Sequence, residues 1–217
     1  MAVKRKTKGA KARSATAKRA KTDRATAKRA KAKRATAKGA KTKPKAKAKS
    51  GGAWTAVFAP RDPGEKRYWL VKSEPEVFSF DDLLRIHNKT TNWNGIRNFA
   101  ARNFMKEGMK LGDRVFFYHS STEPTAIVGI CEVVREAYPD DTAFDNMSQG
   151  YDPHSVKERP TWYMVDLRAV AQFTRPVTLA EIKERKELAN MALLRIGRLS
   201  VSPVTPVEWD VICRIAG

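Results

Sequence analysis

The 217-residue chain has no long apolar run, two cysteines, three histidines, and a single acidic side chain among its first 50 residues. Each shortage excludes something. No stretch approaches the roughly 18 consecutive apolar residues of a membrane helix. The basic start is not followed by the apolar core and small-residue cleavage site of a secretory signal, so no membrane partner is expected. Cys131 and Cys213 lie far apart, beside Ile130 and Ile212, and read as buried free thiols in a reducing compartment rather than as a disulfide. With no Cys-x-x-Cys pair and His87, His119 and His154 scattered, there is no zinc signature, and neither metal nor cofactor is expected.

The shortage of acid is local. Residues 1–50 hold 21 of the 43 basic side chains but only Asp23 of the 23 acids, which leaves 22 of each sign for residues 51–217. The net charge of +20 therefore belongs to a tail, taken as residues 1–52. A linker over residues 53–66 and a neutral domain over residues 67–217 follow, near the usual size for one hydrophobic core.

Within the tail, residues 11–40 form three gapless blocks of ten, each close to Lys-Ala-Lys-Arg-Ala-Thr-Ala-Lys-Arg-Ala. A period of ten fits neither a helical turn nor a solenoid, and no bulky apolar residue occurs between Val3 and Trp54. The tail is expected to be disordered in isolation. Its repeated cations, Lys18, Arg19, Lys28, Arg29 and Lys38 among them, suit salt-sensitive, sequence-independent contact with phosphates. Composition and repeat resemble the tails of linker histones and the lysine-rich histone-like proteins of bacteria. A solubilising tail, a transit peptide or a membrane-surface anchor are the alternatives, but transit peptides are usually Arg- and Ser-rich and amphipathic, and this segment has no apolar face.

The domain mixes strands and helices without regular alternation, which predicts an α+β fold with a strongly curved or barrel-like mixed sheet. Strands are expected at 67–72, 113–120, 126–134 and 161–170, with a short one at 173–177; the second and third form a hairpin. Ser79 caps a helix that carries Leu83, Leu84 and His87 on one face, with Asp82 completing a capping box. Further helices are expected from Arg97 to Glu107, from Thr178 or Leu179 to Lys186, around Met191–Leu194, and from Pro206 to Ile215.

Tyr68-Trp-Leu-Val-Lys-Ser-Glu-Pro75, Phe78-Ser-Phe80, Trp93-Asn-Gly-Ile-Arg-Asn98, Ala101-Arg-Asn103, Phe116-Phe-Tyr-His-Ser120 and Leu199-Ser-Val-Ser-Pro-Val204 together resemble the EVE domain family. The resemblance spans about residues 67–215 and implies a PUA-like small mixed β-barrel of about five to six strands with flanking helices. It also implies a pocket for a modified base, methylated or hydroxymethylated cytosine in DNA first among them, with RNA as an alternative polymer.

Such a pocket must grip a π-face, satisfy a polar edge and leave an apolar gap. Trp93, between Asn92 and Asn94 and before Gly95, is expected in a loop with its ring accessible for stacking. By resemblance it holds the position of a cage aromatic. Trp69 and Trp162, inside strand patterns, read as core. Asn94, Arg97 and Asn98 offer donors for a base edge or a phosphate, although Asn94 or Gly95 could equally start the next helix. Arg102 and Asn103 read as solvent-facing or backbone contacts, with Arg102 joining the tail cations as a phosphate-binding candidate. Lys72 and Ser73 end a strand where the resemblance places the pocket rim. Ser120 and His119 end another, and His119 stands open between pocket residue and structural hydrogen-bond partner.

Catalysis finds little support. Ser120 lacks a Gly-x-Ser-x-Gly setting, no His-Glu-x-x-His occurs, Gly51-Gly52 is not followed by a phosphate-loop Gly-Lys-Ser/Thr, and Asp140, Asp141 and Asp145 read as a solvated loop. The expectation is a monomeric, non-enzymatic nucleic-acid binder of nucleus or nucleoid. An architectural protein without base readout is the alternative.

Overall fold

The computed structural model describes residues 54–217. The tail, its expected disorder and the expected phosphate contacts of Lys18, Arg19, Lys28, Arg29 and Lys38 lie outside the described residues. No helix among the described residues is long and apolar enough to cross a membrane.

The chain enters through a 3-10 turn at Thr55–Phe58. Residues 54–66, expected as a free linker, instead pack on the domain: Phe58 stacks on Phe104 at 5.5 Å between ring centres, and Arg61 makes two bonds to Asp113 of 2.6 and 2.7 Å. Then come β1 (Tyr68–Ser73), α1 (Phe80–Arg85), β2 (Thr90–Trp93), α2 (Phe99–Asn103), β3 (Arg114–His119) and β4 (Ala126–Pro139). They are followed by β5 (Tyr163–Thr178), α3 (Leu179–Glu184), α4 (Ala192–Arg195), β6 (Val201–Val204) and α5 (Pro206–Ala216).

The strands form one six-stranded mixed sheet in the order β2-β5-β4-β3-β1-β6. Only β1 and β3 run parallel. The sheet curls but its edges, β2 and β6, do not pair, so the expected barrel is an open one. The curl has a local cause. β4 and β5 slip register at four places between Ile127 and Tyr138, and each bulge adds twist and bend. At one of them Gly129 leaves room for Phe80: a Cβ there would lie 2.5 Å from the Phe80 ring.

β1 and β3 are apolar on both faces because both faces are covered. Trp69, Val71 and Phe117 point into one core cluster with Phe80, Leu83 and Trp93. Leu70, Phe116 and Tyr118 point into a second with α5, where Trp209 stacks on Phe116 at 3.9 Å. Both free cysteines follow the expectation in part: Cys131 is buried, Cys213 only half so.

Capping chemistry sets several boundaries. Ser79, Thr178 and Thr205 each form a complete capping box. α1 ends at Arg85, so His87 falls in a separate 3-10 turn rather than on the helix face with Leu83. The helix expected from Arg97 begins two residues later, because Asn98 accepts from the N–H groups of Ala100 and Ala101, and it passes into a π turn at Phe104–Gly108. The two strands expected at 161–170 and 173–177 are one bent strand, β5. β2 and β6 had no strand pattern strong enough to read; β6 carries Pro203, which its place at the sheet edge accommodates.

Candidate nucleic-acid interface

The curled sheet brings the ends of β1 and β2 together although three strands separate them in the hydrogen-bonded order. Between them opens a cavity of about 330 Å³ lined by Lys72 and Ser73 from β1, Phe78 from the turn that follows, and Thr91 to Asn94 and Ile96. A volume of this order lies within the range of small-ligand sites.

Trp93 is the last residue of β2, not a loop residue, and its ring is 7 % exposed. This corrects the accessible indole expected from its polar neighbours. Strand alternation turns Asn92 outward and Trp93 inward, where the indole meets Phe117 edge-on at 5.4 Å and 83°. Phe117 also contacts Phe78 at 6.3 Å, so one fully buried ring backs both aromatics of the cavity. The indole Nε1–H of Trp93 is buried and donates to no acceptor among the described residues. Trp69 and Trp162 are core, as read: Trp69 donates to Asp113 at 2.8 Å and Trp162 to Asp152 at 2.7 Å.

Lys72 is half buried, and its Nζ donates to the carbonyl of Gly197 at 2.9 Å. Burial holds its ammonium below the usual lysine pKa. Ser73 Oγ donates to the Phe78 carbonyl at 2.6 Å, which fastens the turn to the strand end. Asn92 and Asn94 are exposed, and the Asn94 amide reaches Asn92 only at 3.5 Å, so both amides keep bonding capacity toward the cavity.

Gly95, Arg97 and Asn98 do not line the cavity. Gly95 adopts φ +73°, and its N–H donates to Asp140 Oδ2 at 2.9 Å. Arg97 is fully engaged: Nη1 bonds Asp140 at 2.7 Å, Nη2 bonds Thr142 Oγ1 at 2.9 Å, and Nε donates to the Gly150 carbonyl at 2.6 Å. Asn98 is the cap of α2. Arg102, expected as a solvent-facing or backbone contact, is half buried, donating to the Thr161 carbonyl at 3.2 Å and lying over Phe99 at 4.8 Å. Asp140, read as a solvated loop acid, has no exposed side-chain surface. Burial pushes its carboxyl up, but bonds from Thr142, Arg97 and Gly95 outweigh burial and hold it below the ordinary aspartate value. Sequence alone missed this anchor; the one available signal was Asp140 two residues before Thr142, a turn-forming pair.

His119 accepts from the Phe80 N–H through Nε2 at 3.1 Å, the structural alternative left open above. Burial lowers its pKa against the opposing pull of Asp81. Ser120 bonds back to the Ser73 carbonyl through its N–H at 2.8 Å and faces a second, neighbouring groove.

A family model described as the EVE domain matches residues 67–215. Thymocyte nuclear protein 1 of Gallus gallus is 40 % identical over 195 residues, covering 79 % of this chain and 80 % of the relative. A solved structure of a hypothetical protein from Leishmania major is 48 % identical with a TM-score of 0.67, covering 70 % of this chain and 95 % of that one. Human THYN1 protein, solved in complex with DNA containing 5-methylcytosine, is 40 % identical with a TM-score of 0.68, covering 70 % of this chain and 98 % of that one.

Proposed function

The chain belongs to the EVE domain family, and we propose that it binds DNA and reads a single methylated or hydroxymethylated cytosine in the cavity between β1 and β2. The observation that carries the proposal is the cavity itself, which sets Trp93, whose buried indole N–H has no acceptor among the described residues, beside Phe78, Ile96 and the exposed amides of Asn92 and Asn94. A buried donor without an acceptor costs about 1–3 kcal/mol, a cost that a bound acceptor relieves. A pyrimidine edge supplies acceptors, and the amides of Asn92 and Asn94 supply both donors and acceptors for the rest of that edge. Phe78 and Trp93 offer aromatic surface, and Ile96 with them offers the apolar contact that a methyl group prefers over water. A relative crystallised with 5-methylcytosine DNA supports the choice of base.

In this proposal the tail, through Lys18, Arg19, Lys28, Arg29, Lys38 and their neighbours, binds phosphates without regard to sequence. It raises the effective concentration of the module on DNA. Arg97 and Asn98 act by positioning the cavity rim, not by touching the base.

The test is a binding panel of the full chain against matched oligonucleotides carrying cytosine, 5-methylcytosine, 5-hydroxymethylcytosine or N6-methyladenine, in DNA and RNA, over a range of salt. The expected result is tighter binding to a modified cytosine in DNA, with a preference that survives at salt concentrations that suppress total affinity. Equal affinity for every member at every salt would leave only polyanion binding and overturn the proposal.

A further inference from the structure

A groove of about 620 Å³ lies beside the base cavity, and Lys72 lines both. No motif in the sequence pointed to it. Its floor is apolar, from Tyr118, Leu179, Leu193 and Leu199, and its rim carries Arg198 and the hydroxyls of Ser120 and Ser200. Arg198 sits exposed in the turn between α4 and β6. Neither Arg198 nor Lys72 pairs with a carboxylate among the described residues. Lys72 spends one of its three ammonium donors on the Gly197 carbonyl, which ties it to the backbone immediately before Arg198. The opposing charge is Glu74, whose Oε1 accepts from Ser121 Oγ at 2.9 Å.

We propose that this groove holds the nucleotide adjoining the read base, with the phosphodiester between them on Lys72 and Arg198 and the neighbouring sugar and base over the apolar floor. The proposal rests on base reading in the first cavity. A base drawn into that cavity brings its own backbone to the rim, and phosphate contacts fix the register of a bound strand. Among the described residues only Lys72 lines both spaces, so a strand passing from one to the other must pass that ammonium. The floor matches what a sugar face and a stacked base bury, and phosphate fits two cations that lack counter-ions among the described residues. The module then recognises two consecutive nucleotides rather than an isolated base.

The experiment measures affinities of the full chain for 5-methyl-2′-deoxycytidine and for dinucleoside monophosphates that add one thymidine on its 5′ or its 3′ side, with unmethylated counterparts. The unaltered chain is expected to bind one of the two methylated dinucleosides at least threefold more tightly than the nucleoside. Arg198→Ala is expected to erase that advantage, Arg198→Lys to restore part of it, and Arg198→Ala to lower the salt slope for a longer oligonucleotide by about one. Arg198 is exposed, so its replacement leaves the core intact. A dinucleoside advantage that persists in Arg198→Ala, or no advantage for either neighbour, overturns the groove assignment while base reading stands. If the unaltered chain shows no preference for methylated over unmethylated ligands, base reading fails, and the groove assignment with it.

Discussion

Arg97 Nη1 lies 2.7 Å from Asp140 Oδ2, and the same carboxylate oxygen accepts the N–H of Gly95 at 2.9 Å. One buried acid thus clamps the turn that follows Trp93 to a loop more than 40 positions away in sequence. Removing one partner of a buried pair leaves the other charge uncompensated and typically costs about 3–5 kcal/mol. Asp140→Ala is expected to lose stability on that scale in chemical denaturation, and Asp140→Asn less. The acid limb should change too. The Asp140 carboxyl titrates below its unfolded value, so its contribution is fully present above about pH 4 and disappears as the pH falls through the native value. Part of the acid sensitivity of the unaltered chain should be missing from Asp140→Ala.

Trp93 tests the base site through its nitrogen rather than its ring. Because the indole is buried against Phe117, Trp93→Ala would open a core cavity and cost about 3–5 kcal/mol, confounding any binding measurement. Trp93→Phe keeps an aromatic ring against Phe117 and removes a donor that has no acceptor among the described residues. Stability is expected to fall by less than in Trp93→Ala, because most of the ring volume stays, while affinity for the modified base falls by roughly two- to tenfold, the weight of one hydrogen bond. Unchanged affinity for the modified base in a folded Trp93→Phe protein would remove the indole N–H from base recognition.

What could be read ahead of the structure followed from local rules. The capping residue Ser79, the apolar runs of β1 and β3, and the proline start of α5 each act within a few positions. The failures came from tertiary context. Trp93 lies among polar residues, yet β2 pairs with β5 and pleating turns the ring inward. Arg97 has the chemistry of a base reader, but Asp140, Thr142 and Gly150 reach it first, and their approach depends on a loop that no periodicity predicts. Lys72 and Ser73 were legible as a strand end, whereas the meeting of that end with β2 depends on the register slips between β4 and β5.

His119 gives a pH signature near neutrality. Its Nε2 is an acceptor for the Phe80 N–H, and a proton there would set two donors against each other. The histidine pKa is lowered in the folded chain, first by burial. The stability that comes with the neutral ring is therefore complete above the unfolded value of about 6.5 and is lost as the pH falls below it toward the native value. His119→Gln retains an acceptor for Phe80 but does not titrate. Denaturation midpoints measured from pH 7.5 to 5 should fall more steeply for the unaltered chain than for His119→Gln, and parallel curves would rule out this coupling.

The matched family region begins at residue 67, but the folded unit begins earlier. Asp113 has no exposed side-chain surface and gathers five bonds: two from Arg61, one each from the backbone N–H of Arg67 and of Lys110, and one from the indole of Trp69. Among the described residues Arg61 alone supplies the opposite charge, and its pKa is raised, chiefly by its bond to Asp113. Phe58 adds a ring stacked on Phe104. A chain that starts at Lys66 keeps the whole matched region but buries the Asp113 carboxylate without its cation, so it is expected to be less stable than one starting at Trp54 by about 3 kcal/mol or more. Arg61→Ala in the full chain should reproduce most of that loss, whereas Phe58→Ala, which leaves the charge pair intact, should reproduce only the smaller packing part. Equal stability of the two truncated chains would show that Asp113 is satisfied without Arg61.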